Sequence, residues 1–272
     1  MIKRSICILL FFPIIAFAQP QKTFNVVLDW FANPDHAPLF VAKEQGYFAK
    51  QGLSVRLIEP ADPSDPPKLI AAGKADLAIT YEPRFVLQKK AGWPLVRVGT
   101  LIDSPLDCLV VLKDSNIHSI KDLKGKTIGI TDAGQDNQML KIMLHAAGLS
   151  LEDVHIVDVH YSLVQALIMK RVDAATGMMR NIELIEMQQA GHPGRAFYPE
   201  NYGMPTYSEL IFIANSNHAS DPEIQKFFLA LHQGVVYLKA HPEQTWQTFA
   251  KQHPVQNNAL NHAVWLKTVE CF

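Results

Sequence analysis

The 272 residues, 48% hydrophobic and 19% charged, are enough for a sizeable core and for two compact domains. Net charge is −1 and no basic run is interleaved with aromatics, which excludes nucleic acid as an expected partner. Of three cysteines, Cys7 falls in the leader, and Cys108 and Cys271 lie too far apart for a disulfide framework or a metal site. No metal and no cofactor is expected.

The first residues read as a secretory signal peptide, residues 1–18. Lys3 and Arg4 form a charged start, Ile6 to Ile15 a short apolar run, and Ala16-Phe17-Ala18 a small-x-small cleavage site before Gln19. The run is short for a membrane-spanning helix. No cysteine follows the cleavage point to carry a lipid. A soluble exported form of this kind fits a periplasm.

After the leader, apolar runs alternate with helical stretches. FNVVLDW reads as a buried strand that stops at Asn33-Pro34-Asp35. Asp35 is expected to cap a helix running from about His36 to Lys50 and ending at Gly52. Leu53–Glu59 is a strand. A proline-rich turn opens a short helix that ends at Gly73. Asp76–Thr80 is a strand, Glu82–Ala91 a helix, and Trp93–Ile102 extended. The order argues for a mostly parallel sheet covered on both faces.

A second series begins after Asp107. Strands are expected at Cys108–Leu112, Thr127–Thr131, Val154–Val159 and Ala174–Met178. Helices are expected at Ser119–Leu123, Gln135–Ala147, Ser162–Lys170 and Glu183–Gln189. GHPGRAFYPENYGMPTY reads as a long connection, and Ser208–Ala214 as a strand. From Asp221 onward the pattern is helical, broken at His241-Pro242 and His253-Pro254. The fold class is α/β.

Five small clusters fall at strand ends, where an open α/β sheet binds its ligand. They are Trp30, Asn33 and His36; Tyr81 and Glu82; Asp103 to Asp107; Asp132 to Asp136; and Tyr202 to Glu209, which includes Tyr207. An aromatic plate, an amide and an imidazole suit a flat, nitrogen-rich heterocycle. Each residue alone has a plain structural reading: Trp30 as core, His36 as surface, Tyr81 as packing, Glu82 as a helix cap. Their joint placement raises the functional one. GITDAGQD could hold an anion on backbone N–H groups, but Asp132 and Asp136 would repel a phosphate. HExxH, CxxC, GxSxG and GxxxxGK[ST] do not occur.

LDWFANPDHAPLFVAKEQGYFAKQGLSV, PADPSDPPKLIAAGKADLAITYEP, IKDLKGKTIGI and GHPGRAFYPENYGMPTYSEL carry a resemblance. Together they resemble the SsuA/Thi5-like group of type II periplasmic binding proteins. Within it they are most like the pyrimidine-precursor binding proteins of thiamine-related ABC importers. The resemblance implies two lobes around a ligand cleft, one of residues 22–105 plus 206–272 and one of residues 106–205. It implies a monomer that delivers a small pyrimidine to an ABC permease in the inner membrane. Trp30 and Tyr207 would stack on the ring, and Glu209, Glu82 or Asn33 would pair with its amino group and nitrogens. His36 and Tyr81 would close the pocket edge, with Asp107, Asp132 and Asp136 completing it. Relatives continue some tens of residues past the point matching Cys271-Phe272, so a further helix or two is expected of the group.

The same group resembles thiamine pyrimidine synthase, an enzyme that consumes pyridoxal phosphate and a histidine of its own chain. Its lysine aligns with Thr80 and its histidine with Arg84, and its cysteine-rich iron motif is absent. Thr80 has no amine with which to form a Schiff base. A sulfonate or another small nitrogen compound is the alternative cargo. For export, N-terminal sequencing of the mature protein should begin at Gln19 or within a few residues of it; intact Met1 on soluble cytosolic protein would contradict the leader.

Overall fold

The computed structural model describes residues 23–131, 133 and 135–272, with the side chains of residues 135 and 136 outside that description. The expected signal peptide, Asp132 and the side chain of Asp136 therefore lie outside the described residues.

Two five-stranded sheets carry the chain. In order it runs through β1 (Thr23–Val27), α1 (Ala37–Glu44), α2 (Tyr47–Lys50), β2 (Ser54–Ile58), α3 (Asp65–Ala71), β3 (Leu77–Tyr81), α4 (Glu82–Lys90) and β4 (Leu95–Ile102). It continues through β5 (Asp107–Leu112), β6 (Thr127–Ile130), α5 (Gln135–Ala146), β7 (His155–Asp158), α6 (Leu163–Ile168), β8 (Ala174–Met179), α7 (Glu183–Gln189) and β9 (Gly194–Phe197). It ends with β10 (Leu210–Asn215), α8 (Pro222–Ala240), α9 (Pro242–Gln252) and α10 (Ala259–Thr268). The first sheet has the order β2-β1-β3-β10-β4 and the second β7-β6-β8-β5-β9.

The sheets are mixed: as expected, four strands of each run the same way, and one strand of each runs against them. β10 runs antiparallel to β3 and β4, and β5 antiparallel to β8 and β9. The reason is where the chain changes sheets. Strands arriving from helices end at the cleft, whereas β5 and β10 start there. Leu210, the first residue of β10, pairs with Tyr81 and Ile102, the last residues of β3 and β4. Asp107 likewise opens β5 opposite Met179, the last residue of β8.

Local chemistry accounts for two corrections. The expected first helix opens as a 3₁₀ turn, Pro34–His36, capped by Asn33, whose side chain accepts from Asp35 N–H, and not by Asp35. It also breaks at Gly46, which takes φ +69°. The stretch expected as one long connection contains β9 and a 3₁₀ turn, Pro199–Tyr202. β9 pairs only with β5, and a Cβ at Gly194 would come 2.6 Å from Val110 Cγ1, so the glycine is what lets the strand dock.

The C-terminal helices cover the first sheet. Phe227 of α8 packs on Phe24, Phe48 and Phe212, and Trp246, Phe249 and Trp265 form a cluster with Phe40 of α1. α8 approaches α1 closely at Gly234, where a Cβ would sit 2.6 Å from Pro38 O and 2.8 Å from Ala42 Cβ. Alanine is the better helix former, but these atoms are backbone and a short side chain with little room to move. Gly234→Ala should cost about 1–3 kcal/mol, read as a lower denaturant midpoint; an unchanged midpoint would mean the two helices separate freely.

Candidate functional site

The cleft between the sheets is built from strand ends. Its walls are Asp29, Trp30, Asn33, Asp35, Tyr81, Arg84, Asp107, Thr131, Gly177, Met179, Ile182 and Glu183, around a space of about 500 Å³ counted to its open mouth. The loop after β1, the end of β3 and the end of β8 all reach it. Trp30, Asn33, Tyr81 and Asp107 of the expected residues stand on these walls.

At the floor, Asp29 Oδ1 lies 2.8 Å from His36 Nε2, and Tyr81 donates its hydroxyl to Asp29 Oδ2 at 2.8 Å. His36 Nδ1 accepts from Asn33 N–H at 3.3 Å. His36 is fully buried, so it stands behind the wall and not at the pocket edge. Burial pushes Asp29 up, but the hydrogen bonds from His36 and the Tyr81 hydroxyl outweigh it and hold the carboxyl below the ordinary value.

Asp35 spans the lobes. Its Oδ1 accepts from Asn181 Nδ2 at 2.6 Å and from the Thr268 hydroxyl at 3.2 Å. Burial raises its carboxyl to about 6. Glu183, pushed up to about 8 by burial, accepts Met179 N–H at 2.6 Å. Asp107 Oδ1 accepts Gly177 N–H at 3.1 Å. Arg84 donates to Pro63 O at 2.6 Å and lies 5.1 Å from the Tyr81 ring centroid.

Three of the expected ligand residues do not stand on the described cleft wall. Glu209 is fully buried, and its Oε2 accepts the N–H groups of Leu106 and Asp107, at 2.5 and 2.8 Å. Burial raises it to about 7. Glu82 binds Arg97 through Oε1 and Ser208 N–H through Oε2. Tyr207 packs into the core of the second lobe, beside the Glu209 carboxylate, where neither its hydroxyl nor Glu209 Oε1 completes a hydrogen bond. The ring facing Trp30 is therefore not Tyr207 but Tyr161, edge-on at 4.4 Å between centroids. Tyr161 also packs on Phe31 at 4.3 Å and donates to Pro60 O at 3.3 Å.

Sequence reading passes over Asp29, Asp35, Tyr161, Arg84 and Glu183. Glu183 had a usable signal, since it follows β8 as Glu82 follows β3. Tyr161 had none, because its partners lie on the other lobe. Thr80 is buried within β3, its hydroxyl without a hydrogen-bond partner. Among the described residues, no group of three or more His, Cys, Asp or Glu is placed to hold a metal ion.

Two mixed sheets joined at a strand-end cleft define the type II periplasmic-binding-protein fold. An alkanesulfonate-binding protein of Xanthomonas axonopodis pv. citri, solved with MOPS bound, shares that fold with a TM-score of 0.72 at 19% identity, over 93% of this chain and 84% of that one. The chain belongs to the NMT1/THI5-like family, whose model matches residues 33–245. A Haemophilus influenzae protein named for thiamine biosynthesis is 46% identical over 250 residues, 92% of this chain and 80% of that protein. The formylaminopyrimidine-binding protein of Halalkalibacterium halodurans is 35% identical over 83% of this chain and 69% of its own length. A 4-amino-5-hydroxymethyl-2-methylpyrimidine phosphate synthase of Uromyces fabae is 31% identical over 89% and 74%.

The Asp35 carboxyl gives a pH test. The unfolded chain releases this proton near 3.8 and the folded chain near 6. Between these values the folded state binds more protons, so Asp35 lowers stability as pH rises through the window. Asp35→Asn removes that loss. Relative to wild type it should gain up to about 3 kcal/mol between about pH 4 and pH 7. Urea unfolding at both pH values checks this; a mutant offset independent of pH would contradict it.

Proposed function

We propose that this protein is the periplasmic substrate-binding component of an ABC importer, capturing a pyrimidine precursor of thiamine of the hydroxymethylpyrimidine or formylaminopyrimidine type. The observation that carries the reading is the set of acidic side chains on the cleft wall, with Asp29 held in its ionised form. Among the described lining residues, Asp29, Asp35, Asp107 and Glu183 stand with one guanidinium, Arg84. Such walls favour a ligand rich in N–H donors and disfavour a sulfonate. Trp30 supplies an aromatic face, which adds about 0.5–1.5 kcal/mol beyond burial when it stacks on a ring. The names of the thiamine-related relatives support the same ligand class.

The lobes are residues 22–105 plus 206–272 and residues 106–205, closing on the ligand as a hinge. The mature protein leaves its signal peptide at Ala18 and works as a monomer. It passes its ligand to a permease in the inner membrane.

A second reading, a pyrimidine synthase, is favoured by the fungal relative's name. Thr80 and Arg84 stand against it, because neither supplies the free amine and imidazole that the chemistry needs. Calorimetric titration with hydroxymethylpyrimidine and formylaminopyrimidine should show tight binding, and an alkanesulfonate none. Added pyridoxal phosphate should give no stoichiometric aldimine absorbance. A stoichiometric band abolished by changing one lysine would establish the enzyme instead.

A further inference from the structure

We infer that Asp29 is the carboxylate that accepts the ligand's N–H donor, and that His36 is the residue positioning it. This rests on the binding-protein reading above. It differs from the expectation that Glu209 reads the amino group.

Three observations carry it. First, Asp29 stands on the cleft wall, and its two oxygens each take one donor, His36 Nε2 and the Tyr81 hydroxyl, both at 2.8 Å. A carboxylate offers about four acceptor positions, so Asp29, which also takes a backbone N–H, keeps acceptor capacity for a ligand. Second, His36 Nδ1 is occupied by the Asn33 N–H, which leaves the ring proton on Nε2, directed at Asp29. The imidazole thus fixes the carboxylate's orientation without reaching the cleft, as its complete burial requires. Third, the other carboxyls have other work. Glu209 Oε2 holds two backbone N–H groups, Glu183 holds Met179, Asp107 holds Gly177, and Asp35 is turned to Asn181 and Thr268. Burial raises Glu209, Glu183 and Asp35, while Asp29 is held low by its donors.

Tyr81 extends the consequence. Its hydroxyl proton is committed to Asp29, so toward the cleft it offers only lone pairs. Asp29 and Tyr81 therefore form a floor of acceptors. An aminoheterocycle meets it with a charge-assisted N–H···O bond, and a ligand lacking that donor leaves a desolvated carboxylate behind.

The test is calorimetric titration with 4-amino-5-hydroxymethyl-2-methylpyrimidine and its des-amino analogue, on wild type, Asp29→Asn, His36→Gln, His36→Phe and Glu209→Gln, each checked for native circular dichroism. Wild type should prefer the amino compound about ten- to a hundredfold. Asp29→Asn should collapse that preference. His36→Phe should reduce it, and His36→Gln, whose amide can donate from nearly the same place as Nε2, should restore most of it. Glu209→Gln should leave the preference as in wild type. A full preference in Asp29→Asn, or its loss in Glu209→Gln, would overturn the inference while leaving the binding reading intact. A wild type that takes an alkanesulfonate and neither pyrimidine would overturn both. Independently of any ligand, nitrogen NMR of the wild type at about pH 7 should find the His36 proton on Nε2 with Nδ1 bare; the reverse tautomer would remove the positioning role.

Discussion

The carboxylate of Glu209 on the amides of Leu106 and Asp107 is the contact on which the two-lobed arrangement turns. The chain crosses between the sheets twice, and Glu209 ties the second crossing to the first. Its neighbour Ser208 makes the same tie from the other side, donating its hydroxyl to Asp103 and its N–H to Glu82. Arg97 reaches both Glu82 and Ser208. Arg180, in the second lobe, donates to the carbonyls of Leu106 and Asp107 and to Glu200. Two strands of backbone that would otherwise be loops are thereby held on side chains of both lobes. A buried acid whose removal would leave two desolvated amides is strongly constrained.

This arrangement divides the acids near the cleft by role. Glu209 and Glu183, bonded to backbone N–H groups, hold the frame, and burial favours their protonated forms. Asp29 is different: an imidazole and a phenol donate to it and together stabilise the charged form more than burial opposes it. Polarity at the site is thus graded: neutral-leaning carboxyls around one that stays ionised. Aromatic closure is separate from that gradient. Tyr161 reaches across from the loop after β7 to Trp30, Phe31 and Pro60, and Asn181 reaches Asp35 and Thr268. The lobes meet through rings in one place and through amide and hydroxyl bonds in another.

Much of the fold was legible because its strands are short, apolar and bounded by turn residues. Leu77–Tyr81 is buried at every position and reads as such from LAITY. The one reversed strand in each sheet was not legible, since periodicity says nothing of which way a strand runs. β9 was hidden by the glycine and prolines around it, although its glycine is what permits the pairing. Trp30, Asn33, Tyr81 and Asp107, picked out for their place at strand ends, do stand on the cleft wall. His36 and Glu209 are buried and bond Asp29 and the amides of Leu106 and Asp107: whether a carboxylate faces a cleft or a distant amide depends on crossings far apart in sequence. Tyr161 met Trp30 only through tertiary structure.

β10 lies between β3 and β4, so the first sheet stays open until residues 210–215 are available, whereas the second is complete at Phe197. All strands of the second sheet thus precede in the chain the last strand the first sheet needs. The segment made first, residues 23–102, lacks the strand that joins β3 to β4 and exposes the facing edges of both, while the second sheet is contiguous in sequence. Non-local pairings of this kind fold slowly. Until that strand arrives, the leading half has no closed sheet to settle into.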